Sequence, residues 1–147
     1  MIEEKVKGRE IEELVKRFAG ASLLSKKSEE DAIKMLRGKE VSAWKIAATL
    51  VITGIKNFDV FDIDSLARGV DSSREEMINL VESLMERHLP IKIGKDYFNR
   101  NKKRLEKERK KIQESDEDSL KNQVELINDF MRRFNKWREK GWIILER

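Results

Sequence analysis

Residues 43–55, AWKIAATLVITGI, constrain the fold more than any other stretch. Ala43, Trp44, Ile46, Ala47, Ala48, Leu50, Val51 and Ile52 cover most of the circumference when wound as a helix. A helix that is apolar nearly all round belongs at the centre of a core. This one carries Lys45 and is too short to span a bilayer, which takes about 20 apolar residues. The segment predicts a central helix from Glu40 to about Lys56, with the other elements packed around it.

Those other elements have to be helical and heavily solvated. Charged residues make up 41 % of the chain and apolar residues 39 %. A single proline and seven glycines among 147 residues favour long helices over a turn-rich β fold. The length suits one domain, or a small domain with an arm. Residues 2–18 predict an amphipathic helix, with Ile2, Val6, Leu14, Val15 and Phe18 on one face and Gly8 as its weak point. Ser28 followed by Glu29, Glu30 and Asp31 predicts the capped start of the next helix, and Gly38 its exit.

After the central helix, Phe58-Asp59-Val60-Phe61 alternates like a short strand, and Asp62 or Asp64 can cap a following helix. Leu66 and Ala67 lie on that helix, Val70 closes it, and Asp71-Ser72 make a turn. Ser73 and Glu76 form a capping box. Met77, Leu80, Val81 and Leu84 then mark one face of a second helix. Leu89-Pro90 stops that helix. Ile91 and Ile93 alternate with Lys92, and Gly94-Lys95-Asp96 predicts a turn into Tyr97-Phe98 as a paired strand.

From Phe58 to Phe98 this order resembles the winged helix-turn-helix superfamily, with the central helix as its first helix. The resemblance implies a mainly α chain with a small β-wing. It divides into N-terminal helices at 1–39, a winged domain at 40–98, and a helical arm at 99–147. It also implies nucleic-acid binding, with Arg74 and Asn79 at base edges and Lys92 and Lys95 in the wing, since Arg suits guanine and Asn suits adenine. Two departures bear on this. Asp71 stands where a glycine often follows the first helix, and the second helix is rich in glutamate, which suits phosphate walls poorly.

The arm concentrates the basic charge. Residues 100–113 carry eight basic and two acidic groups, a larger surplus than the +4 of the whole chain. Arg100, Lys102, Lys103, Arg104, Lys107, Lys110 and Lys111 are the expected phosphate contacts, which hold a nucleic acid without reading its sequence. The bland reading is a solvated helix whose charges pair at i,i+4. Leu105 and Ile112, seven apart, give that helix little to bury. Beyond an acidic break at 114–119, Leu120, Val124, Ile127, Met131 and Phe134 form a heptad stripe, expected either to pack within the chain or to join two copies as a homodimer. Trp142 to Leu145 predicts a strand or docked end.

Catalysis and metal binding find little to work with. There is no cysteine, and His88 is the sole histidine. Asp59, Asp62 and Asp64 read as caps, and Asp116, Glu117 and Asp118 as neighbours that neutralise the basic helix. No glycine-rich phosphate loop occurs. The expectation is a non-catalytic, cytoplasmic, DNA-binding transcription regulator acting as a dimer without cofactor, metal or membrane, with DNA favoured over RNA. The alternative is a protein-binding subunit of a nucleoprotein assembly. Two glutamines among many Lys, Arg and Glu give the bias of proteins from hot environments.

Overall fold

The apolar segment becomes α3, Ala43–Lys56, in a computed structural model that describes residues 4–87, 90–115 and 118–147. All ten residues from Ile46 to Ile55 are buried. Ser42 caps the helix, its hydroxyl accepting from the Lys45 amide at 3.3 Å. The helix starts at Ala43 rather than Glu40 because Val41–Ser42 is a short strand, β2. It pairs antiparallel with β1, Lys5–Val6, in the register Lys5↔Ser42 and Val6↔Val41. That pairing also corrects the N-terminal expectation. Gly8, at φ 61 and ψ −128, breaks the chain out of helical geometry, so α1 runs Arg9–Ala21 and Val6 lies outside it. Ile2 lies outside the described residues.

Around α3 are packed α1, α2 (Lys26–Leu36), α4 (Ile63–Gly69) and α5 (Arg74–Arg87). Ser25, not Ser28, caps α2; Ser28 sits one turn inside and is fully buried. Asp62 caps α4, accepting from the amides of Asp64 and Ser65. The capping box forms as expected: the Ser73 amide reaches Glu76 at 3.3 Å and the Glu76 amide reaches Ser73 at 3.1 Å. Met77, Val81, Leu84 and Met85 supply the buried side of α5.

The expected strand at Phe58–Phe61 does not form. The amides of Phe58 and Asp59 are taken by Ile55 and Gly54 carbonyls as α3 closes, which leaves no extended backbone to pair. The alternation instead reflects two buried rings, Phe58 and Phe61, set around that exit. The ends expected at His88 and Leu89 lie outside the described residues.

The chain divides into two units, Met1–Arg87 and His88–Arg147, so residues 91–98 belong with the arm and not with the preceding helices. The second unit is β3 (Ile91–Gly94), α6 (Lys95–Ser115), a 3-10 turn (Asp118–Leu120), α7 (Lys121–Glu139) and β4 (Ile143–Glu146). Here the wing expectation is corrected. Ile91–Gly94 is a strand, but its partner is β4, in parallel register from Ile91↔Ile143 to Gly94↔Glu146. Gly94-Lys95-Asp96 makes no hairpin, because α6 begins at Lys95 and takes in Tyr97 and Phe98. Parallel strands need a long crossover, and the α6–α7 hairpin supplies it. Phe98 is the reason the helix starts so early. It lies seven residues before Leu105, on the same face, and stacks on Phe134 of α7 at 5.4 Å. Asp116 and Glu117 lie outside the described residues.

Candidate nucleic-acid interface

The helix α6 has two opposed faces. Phe98 and Leu105 are buried, Asn101, Arg109 and Ile112 are half-buried, and Arg109 bonds Asn128 of α7 at 2.9 Å. At about 100° per residue, Arg100, Lys103, Arg104, Lys107, Lys110 and Lys111 gather within an arc of about 120° on the opposite side. All six are exposed. Five of them, Arg100, Lys103, Arg104, Lys107 and Lys110, line one open depression together with Glu106. Arg104 is tied to Glu108 at 3.7 Å and donates to the side-chain Oδ1 of Asn101 at 3.2 Å. The other five cations of the row have no ion-pair partner among the described residues.

Lys102 separates from this row. It flanks the packed face, with its ammonium 5.9 Å from the centre of the Phe98 ring; Arg138 lies 5.4 Å from the same ring. Lys95 is exposed in the first turn of α6, away from the row, and Lys92 reaches Glu146 across the parallel ladder at 3.6 Å. The two wing cations are thus a paired strand residue and a helix-start residue, not the tip of a hairpin.

The base-reading pair sits on the first unit. Arg74 opens α5 with its guanidinium 3.7 Å from Asp64 of α4. Asn79 is exposed in mid-helix. Around them the exposed side of α5 presents Glu75, Glu76 and Glu86, so the helix has little surplus positive charge to hold a phosphate. The remaining aspartates of the early cluster have structural partners. Asp59 accepts from the Ser25 amide and hydroxyl and from the Ser28 hydroxyl, Asp62 caps α4, and Asp64 faces Arg74.

The heptad stripe of α7 is largely spent inside the chain. Ile127 and Phe134 are buried, as are Phe130 and Trp137 beside them, so neither of the first two is a surface open to a second copy. Leu120, Val124 and Met131 are half-buried. Sequence reasoning missed one member of this interior, Arg133, whereas Trp137 reads from the sequence as widening the apolar stripe. Arg133 is buried against Asp129 at 2.9 Å. Trp137 is fully buried, and its indole N–H has no hydrogen-bond partner among the described residues. The signal for α6 itself was present in the spacing of Phe98, Leu105 and Ile112.

None of the described helices is long and apolar enough to cross a membrane. No family model, no curated protein and no solved structure matches this chain.

Proposed function

We propose that this chain is a non-catalytic nucleic-acid-binding protein whose contact element is α6. The observation that carries the reading is the row of six cations on one exposed helix face, five of them without an ion-pair partner among the described residues. Charges left unpaired in this way can neutralise phosphates and displace the cations condensed on a nucleic acid, which favours binding at low salt. The order α3, α4, α5, the turn at Asp71 and the capping box at Ser73 support a helix-turn-helix, here without a hairpin wing, and through it a regulatory role on DNA. In this reading α5 is scaffold, because Arg74 faces Asp64 and its neighbours are glutamates.

A second reading draws on that same acidic side of α5. It would suit a basic protein surface, and the chain would then serve as an assembly subunit.

The test is a titration of duplex DNA with the wild type and with a Lys103/Arg104/Lys107/Lys110→Glu variant at about 50 mM salt. These side chains are exposed, so the helix content should be unchanged by circular dichroism. The proposal expects the reversal to weaken binding by at least about a hundredfold. Equal binding by the two proteins would refute it.

A further inference from the structure

The basic row on α6 is framed by carboxylates. Asp96 lies one turn before Arg100 and Glu114 one turn beyond Lys110, both on the line of the row and both exposed. Glu106 and Glu108 stand about 100° to either side of its centre line. Both are exposed, Glu108 holding Arg104 at 3.7 Å and Glu106 facing the same depression as the cations. The positive strip between them, Arg100 to Lys111, is about 16 Å long at 1.5 Å per residue.

This frame decides how a nucleic acid can lie on the helix. The B-DNA major groove is about 12 Å wide, close to the diameter of a helix with its side chains, so a helix inserted there has phosphates against both flanks. On α6 those flanks carry Glu106 and Glu108, which would meet the phosphates as like charges. The strip is instead matched to one ridge. Along a duplex each strand presents a phosphate about every 3.4 Å of axis, so about five lie within the strip's length.

The same surface argues against other anions. A single strand is held by bases stacked on successive aromatic rings, and beside the row stands one ring, the half-buried Tyr97, before its first cation. Between Arg100 and Lys111 the row also lacks Ser, Thr, Asn or Gln to meet the ribose hydroxyls by which duplex RNA is distinguished, and the exposed Asn99 stands at its edge, before the first cation. An anionic membrane needs an apolar face to enter the headgroup layer, and the apolar side chains Phe98 and Leu105 of α6 are buried.

We infer that α6 binds the phosphate ridge of duplex DNA from outside the grooves, so that its affinity does not depend on base sequence. The inference rests on the nucleic-acid reading above and gives it a substrate class and a docking mode. The four carboxylates limit the contact to one strand over less than half a helical turn of DNA.

The experiment measures affinity at one low salt concentration for three duplex DNAs of unrelated sequence, one of the constituent single strands, a duplex RNA, and vesicles containing phosphatidylserine. It uses the wild type and Glu106→Gln/Glu108→Gln. The inference expects the three duplexes to agree within about threefold. It expects the single strand, the RNA and the vesicles to bind at least about tenfold more weakly. The double variant should bind all three duplexes about three- to tenfold more tightly, and by the same factor. A hundredfold preference for one duplex would mean groove reading and would overturn it. So would tighter binding to single strand, RNA or vesicles, or a double variant that binds no better than the wild type. Each of those results leaves the general nucleic-acid reading standing except vesicle-only binding, whereas an absence of binding to every nucleic acid removes both.

Discussion

Leu23, Phe58 and Asp71 hold left-handed backbone angles, with φ 69, 56 and 53, at the ends of α1, α3 and α4. Each is followed by an amide that reaches back to the carbonyl five residues before it: Leu24 to Ala19 at 3.0 Å, Asp59 to Gly54 at 2.9 Å and Ser72 to Ala67 at 2.8 Å. This is the Schellman closure, which glycine usually serves because it has no Cβ to clash. Gly141 does so at the end of α7, with φ 79. These glycine-free closures explain why the exit of α3 was hard to read: a phenylalanine in an alternating run signals a strand, not a left-handed stop. At Asp71 the turn was legible, because aspartate tolerates that geometry. Phe58 is held there by complete burial. Leu23 has no such compensation, since 65 % of it is exposed. Leu23→Gly should therefore relieve strain at little cost in buried area and stabilise the protein by about 0.5–1 kcal/mol. Urea unfolding monitored by circular dichroism would read this as a higher midpoint, and an unchanged or lower midpoint would count against the strain.

Between elements, the firmest polar link in the first unit joins the start of α2 to the end of α3. The Asp59 carboxylate accepts the Ser25 amide at 3.2 Å, the Ser25 hydroxyl at 2.6 Å and the Ser28 hydroxyl. Asn57 adds bonds to Ser28 at 3.3 Å and to Asp31 at 2.9 Å. A carboxylate at this end of α2 also complements the helix dipole. Removing it takes the carboxylate from the Ser25 amide and leaves the fully buried Ser28 hydroxyl with its longer contacts to Thr53 and Asn57. Asp59→Ala should cost about 2–4 kcal/mol by the usual worth of bonds to a charged group. Thermal unfolding should show a clear fall in Tm, and a fall within error of zero would mean the cluster is not formed in solution. Sequence alone identified Asp59 only as one of three alternating aspartates, because its partners lie more than thirty positions away. The parallel pairing of β3 with β4 was hidden for the same reason. Both strands were visible locally as Ile91–Ile93 and Trp142–Leu145, but nearest-neighbour turn signals favoured Tyr97-Phe98 as the partner. The heptad from Phe98 through Leu105 to Ile112 is the longer-range pattern that outweighs that turn.

Across the whole molecule, charge and apolar surface are sorted by helix. The apolar α3 was legible at once, since a segment with no polar side has one place to go. The basic row was legible as composition, but its function-relevant subset was not. Winding α6 against α7 sets Lys102 beside the Phe98 ring, turns Arg109 to Asn128, and leaves six cations together inside a carboxylate frame. The heptad of α7 was legible as an apolar stripe, and only packing could show that Ile127 and Phe134 are occupied within one chain. On the proposed function, the α6 row holds duplex DNA through its phosphates. The most direct measurement is the affinity of the wild type for one duplex across a range of salt concentrations. Displacing the counterions of four to six phosphates predicts a plot of log K against log salt that is linear with a slope of about −3.5 to −5.5. A slope shallower than about −1 would contradict phosphate binding by the row, because almost no counterions would then be leaving the DNA.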